Sequence, residues 1–99
     1  MATKNVEFHE EAALEFLAAV EWYLARSEIV ASRFAQQITR AVQLIAQAPH
    51  RWPSYSHNTR KFVLRRFPFL VVYRELPTVI QILAVAHAHR CPGYWKPRR

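Results

Sequence analysis

From Ala31 onward an apolar residue returns every three or four positions, through Phe34, Ile38, Ala41, Ile45 and Ala48, until Pro49 ends the run. That spacing draws a single apolar stripe along a helix and obliges the rest of the chain to supply a surface for it to pack on. Ser27 is a natural cap for this helix, which should extend to about Gln47. A second stripe, Ala13, Leu17, Val20 and Leu24, predicts another helix over Glu11 to Arg26. Glu10, Glu11 and Glu15 fall in its first turns, where the helix dipole favours negative charge. The two helices should pair as a hairpin.

Gly93 is the only glycine, so the six prolines do the punctuating. Val6, Glu7 and Phe8 alternate as a short first strand. Residues 49–59 (PHRWPSYSHNT) hold turn formers without periodicity. Three runs rich in β-branched and aromatic residues follow: 60–67 (RKFVLRRF), 69–75 (FLVVYRE) and 78–87 (TVIQILAVAH). Their short connections predict an antiparallel meander, and the last run, apolar on both faces, reads as a central strand. The expected fold is α+β, in the order β-αα-βββ, with the helical hairpin on one face of a small, mainly antiparallel sheet. Residues 1–99 should make one domain, with 88–99 a basic aromatic tail.

Charge is segregated along the chain. Residues 1–28 hold six of the seven acids against Lys4 and Arg26, a formal −4, whereas residues 29–99 set twelve Lys or Arg against Glu75 alone, a formal +11. A surface this positive draws polyanions or an acidic protein. At 52% hydrophobic the chain is too apolar for a disordered basic tail. It has no apolar run long enough to span a membrane and no signal-peptide pattern, so a cytoplasmic protein with no membrane partner is expected. The lone Cys91 excludes an internal disulfide.

Alternation on the strands places Arg60, Phe62, Leu64 and Arg66 on one face and Lys61, Val63, Arg65 and Phe67 on the other. With Arg74 ending one strand and His87, His89 and Arg90 ending another, the meander can gather these groups into one basic patch edged by Tyr94 and Trp95. Basic side chains interleaved with aromatics suit phosphate neutralisation and base stacking; a merely solvated sheet face is the plainer alternative. His87, His89 and Cys91 alternate as metal ligands could, but no fourth ligand follows, so neither a metal nor a cofactor is expected. Two-metal nuclease chemistry needs several carboxylates, and the basic half offers only Glu75. RNA cleavage would therefore run without metal, with His87, His89, Arg90 and Tyr94 as candidates for proton transfer and phosphate stabilisation. Nothing marks a partner that would make Cys91 a nucleophile.

The segment RRFPFLVVYRE (65–75), the strand ILAVAH (82–87) and the ending HRCPGYW (89–95) resemble the RelE/ParE superfamily of type II toxin-antitoxin toxins, plasmid stabilisation proteins among them. VEFHEEAALEFLAAVEWY resembles that family's first strand and helix, and Arg33-Phe34 with the helix ending at Ala48-Pro49 its second. The resemblance implies a growth-inhibiting toxin held in a hetero-oligomer by a cognate antitoxin with an acidic or amphipathic segment. Trp22, Trp52 and Trp95 are candidate anchors for that segment. Two activities are implied. In RelE-like members, ribosome-dependent mRNA cleavage uses basic residues on the second strand, an Arg on the third, and Arg and Tyr near the C terminus. Lys61, Arg65, Arg90 and Tyr94 match, but the third-strand Arg falls on Leu70, which cannot donate to phosphate unless Arg74 or Arg66 substitutes. The departure favours ParE-like inhibition of DNA gyrase, with Arg60, Lys61, Arg65, Arg66, Arg74 and Trp95 as target-binding residues. A non-toxic basic binding module on the same scaffold is the third reading.

Overall fold

The computed structural model describes residues 4–90 and 92–98. The chain forms β1 (Asn5–Phe8), α1 (Glu10–Leu24), α2 (Glu28–Gln47), β2 (Ser54–Tyr55), β3 (Thr59–Val63), β4 (Phe69–Glu75) and β5 (Val79–His87). The sheet order is β1-β5-β4-β3-β2. β1 runs parallel to β5, and every other pairing is antiparallel. This is the expected α+β arrangement, with the short β2 as an addition inside the aperiodic segment.

Local chemistry sets the helix ends. The Ser27 hydroxyl accepts the Val30 N–H at 3.3 Å and starts α2, while Ala48, forced out of the helical region by Pro49, ends it. Ala31, Phe34, Ile38, Ala41 and Ile45 are buried, as their spacing requires. The stripe expected on α1 is rotated. Ala12 and Ala19 are its buried positions, with Phe16, Val20 and Tyr23 packed beside them, while Leu17 and Leu24 are half exposed. α1 is apolar around most of its circumference, so periodicity could not fix which side faces the sheet.

The rings of Tyr23 on α1 and Phe34 on α2 meet Phe67 and Phe69, which flank Pro68 in the turn between β3 and β4, and Phe16 of α1 stacks on Phe34. Their edge and tilted contacts pin that turn under the hairpin. A register shift between Val72 and Tyr73 changes the phase of β5, so Ile80, Ile82 and Val85 face the helices while Leu83, Ala84 and Ala86 face the other way. The second face is covered by the C-terminal segment. Trp95, 1% exposed, closes a smaller core over Leu70, Val72, Leu83, Ala84 and Ala86, with Tyr55 stacked on it at 5.3 Å. Both faces of β5 are therefore dry, which accounts for its nearly continuous apolar sequence.

The strand expected over 60–67 stops at Val63. Leu64 turns back, its N–H donating to the Phe69 carbonyl at 3.0 Å, so Arg65 and Arg66 sit in the turn instead of on alternating strand faces. Among the described residues no helix is long and apolar enough to cross a membrane.

Candidate functional site

The basic groups expected to converge on one patch divide into separate clusters. The first is built around Glu15. β1 ends at Phe8, opposite Ile82, and the edge of β5 beyond it has no strand partner among the described residues. Glu15 reaches that edge from α1 and accepts the Val85 N–H at 3.0 Å; Arg98 donates to the Leu83 carbonyl at 3.0 Å. The two side chains join in a forked pair, with distances of 2.8 and 3.1 Å. An ion pair thus takes the place of the missing strand and satisfies edge groups that would otherwise lie unpaired.

Tyr94 and Arg90 belong to this cluster too. The Tyr94 hydroxyl donates to Glu15 Oε2 at 2.7 Å, and Arg90 lies 3.4 Å from the same oxygen while its guanidinium stacks 3.6 Å from the Tyr94 ring centre. Burial, then the hydrogen bond to Glu15 and its charge, push the Tyr94 phenol well above its ordinary value, against the weaker pull of Arg90 and Arg98. Burial pulls the Arg98 guanidinium down, but its hydrogen bond and attraction to Glu15 prevail and its pKa is raised. Tyr94 is thus a phenol held protonated with its proton already committed, a poor proton-transfer group near neutral pH.

His87 ends β5 and lies exposed, its ring 5.3 Å from those of both Phe69 and His89. Its Nδ1 accepts the His89 N–H at 3.2 Å, and Arg90 N–H returns to the His87 carbonyl, so the chain turns here and the strand does not continue through His89. Cys91, the third member of the sequence's alternating set, lies outside the described residues. No three His, Cys, Asp or Glu among the described residues are grouped to hold a metal ion. His87 and Arg90 border a cleft of about 490 Å³ between α1 and the ends of β4 and β5, lined by Trp22, Tyr23, Phe69 and Val85.

A third cluster gathers Arg60 and Arg74 near His50 and Glu75. Arg60 donates to the Trp52 carbonyl at 2.7 Å, Arg74 to Gln81 at 2.8 Å, and Glu75 is shared by Lys4 and His50. Lys61 points to the opposite face, 4.5 Å above the Tyr55 ring. Arg65 and Arg66 face α2, where Arg33 and Arg40 stand across a groove. Trp95 is core. Trp52 packs edge-on to Phe62, and only Trp22, 54% exposed, is open, with Arg26 stacked on it. Leu70 is buried and presents nothing to a phosphate.

In the sequence Glu15 has only the sign of a dipole-compatible acid and nothing marks Arg98, because their meeting depends on a contact between residues more than eighty apart along the chain. Arg33 and Arg40, seven apart on one helix, carried a legible signal: two turns separate them on a common side.

The family model described as ParE toxin of type II toxin-antitoxin system, parDE, matches residues 6–92. No curated protein matches. Among solved structures, a chain titled as the chromosomal ParDE TA system from P. aeruginosa superposes with a TM-score of 0.77 at 21% identity, covering 88% of this chain and 98% of that one. At that identity the likeness speaks for the fold.

Proposed function

The chain belongs to the ParE toxin family and is the toxin of a type II toxin-antitoxin pair; from that premise we propose that it inhibits growth in the cytoplasm by binding DNA gyrase, without cutting RNA. The observation that carries this reading is the state of the groups a metal-independent nuclease would need. Tyr94 has its hydroxyl on Glu15, Arg90 is paired with the same carboxylate and stacked on Tyr94, and Leu70 is buried where a phosphate contact is wanted. Each is occupied in holding the C-terminal segment to the sheet, and a general acid whose proton is already given to a neighbour serves a reaction badly. His87 and His89 are exposed, but no described carboxylate orients either ring toward a shared reaction centre.

A binding toxin needs none of that machinery. It needs a stable scaffold with positive charge outside, and Arg60 and Arg74 on one face and Lys61 on the other, with no carboxylate paired to them among the described residues, are its candidates for facing the target. The test is a supercoiling assay with purified gyrase and purified toxin. Dose-dependent loss of supercoiling, retained by His87→Ala, supports the reading. Full supercoiling at toxin concentrations that stop growth refutes it.

A further inference from the structure

Leu14, Leu17 and Leu24 form a row on the side of α1 opposite the buried Ala12 and Ala19, each leucine at least half exposed. Steps of three and four residues put Glu10 and Glu21 in the same row, and the exposed Glu28 follows just beyond it. Among the described residues no cation lies within ion-pair distance of these three carboxylates. An open apolar row edged with unpaired acid is one half of an interface. The same chain carries the matching half. Arg33 and Arg40 of α2 stand on one side of a groove of about 570 Å³, and Arg65 and Arg66, brought round by the early end of β3, stand on the other. All four are exposed and have no described carboxylate within ion-pair distance, and the floor between them is apolar, with Leu44 and Phe62 in it.

Row and groove agree in length as well as in charge. Glu10 to Leu24 on α1 and Val30 to Leu44 on α2 are each fourteen steps of helix, about 21 Å. No residue of α1 lines the groove, and α1 is fixed against the sheet by Ala12, Ala19 and Glu15, so a molecule cannot fill its own groove. We propose that the chain binds a second copy of itself head to tail, the α1 row of one molecule seated in the α2 groove of the next. Glu10 and Glu21 then meet the rim arginines, and the leucines cover Leu44 and Phe62. Charge selects this pairing over a symmetric one. Row against row sets carboxylate on carboxylate, and groove against groove sets arginine on arginine. A head-to-tail contact leaves a free row at one end and a free groove at the other, so association runs past the dimer unless the molecules close into a ring. It gives the charge segregation along the chain, −4 over residues 1–28 and +11 over residues 29–99, a structural use that does not depend on what the toxin inhibits.

The experiment is analytical ultracentrifugation of the full chain, freed of its antitoxin by denaturation and refolded, from about 1 to about 200 μM, the range in which a small interface of modest affinity forms. The average mass of wild type should climb with concentration and fall back when salt is raised. The groove variant Arg33→Ala/Arg40→Ala/Arg65→Ala/Arg66→Ala and the row variant Leu17→Lys/Glu21→Lys should each lose at least about 10-fold in association constant. Mixed in equal amounts they should pair, because the first still has its row and the second its groove, and the mixture should stop at a one-to-one dimer. If the fourfold variant misfolds by circular dichroism, Arg33→Ala/Arg40→Ala, on exposed helix positions that tolerate alanine, takes its place with a smaller loss. Three results overturn the proposal: a wild type that stays monomeric throughout, which leaves row and groove to other partners; self-association within about twofold of wild type in either folded variant; or two variants that fail to pair when mixed although wild type associates.

Discussion

Replacing Glu15 by Gln tests the idea that one carboxylate joins α1, the open edge of β5 and the C-terminal segment. The substitution keeps shape and one acceptor oxygen but removes the charge that receives Arg98 at 2.8 and 3.1 Å, and it turns an amide N–H toward donors. Arg98 is 11% exposed and Glu15 15%, so neither regains full hydration when the pair is broken. Breaking a fully buried pair costs about 3–5 kcal/mol, and the residual water here lowers the expectation to about 2–3 kcal/mol. For a domain of this size that corresponds to a fall in Tm of roughly 10–20 °C. Thermal unfolding followed by circular dichroism reads the shift directly. Removing both charges, in Glu15→Gln/Arg98→Met, should recover part of the loss, because no stranded guanidinium is left behind. A single-variant shift under about 4 °C would refute the argument that this pair substitutes for a strand.

Three further outcomes follow from the same geometry. Tyr73 is fully buried, its hydroxyl donates to the Pro49 carbonyl at 2.7 Å, and burial, helped by Glu75 and opposed by Arg60, pushes its pKa from 10.0 up to about 12. Its folded pKa lies above the unfolded one, so its contribution is intact below about pH 10 and is lost as pH rises toward 12, about 2–3 kcal/mol in all; urea unfolding across that window should show the decline, and Tyr73→Phe should flatten it. Gly93 has φ +91°, and an added Cβ would lie 2.8 Å from the His57 ring, which is itself held in a left-handed turn at φ 61°. Gly93→Ala should therefore destabilise by about 1–3 kcal/mol in chemical denaturation, and His57→Ala in the same chain should return the part due to the clash. Ser27→Ala removes the acceptor for the Val30 N–H and should cost about 1 kcal/mol by the same measurement.

The helix over 28–47 was legible because Ala31, Phe34, Ile38, Ala41 and Ile45 recur on one side, and Ser27 and Pro49 mark its ends. α1 was legible as a helix but not in its orientation, since Leu14, Leu17, Trp22 and Leu24 are as apolar as the residues that face the sheet. The aromatic pattern of RKFVLRRF concealed the turn at Leu64, which arises because Phe67 and Phe69 are drawn under the hairpin; that early stop moved Arg65 and Arg66 from the sheet to the groove beside α2. Tyr94 and Arg90 stand out in the sequence as candidates for RNA chemistry, yet what they touch depends on Glu15, far away in sequence and unremarkable there. The second core under Trp95 was likewise hidden, because a basic, proline-bearing tail gives no periodic sign that one of its aromatics is buried.

The claim that matters most is that toxicity arises from binding and not from RNA chemistry. The decisive measurement is transcript-end mapping during controlled expression of wild-type toxin and of His87→Ala/Tyr94→Phe, with growth followed in parallel. Intact transcripts in both, and growth arrest in both at matched soluble toxin levels, is the result expected if the toxin acts by binding gyrase. New cuts within translated codons in the wild type, absent from the double variant along with the arrest, would contradict it.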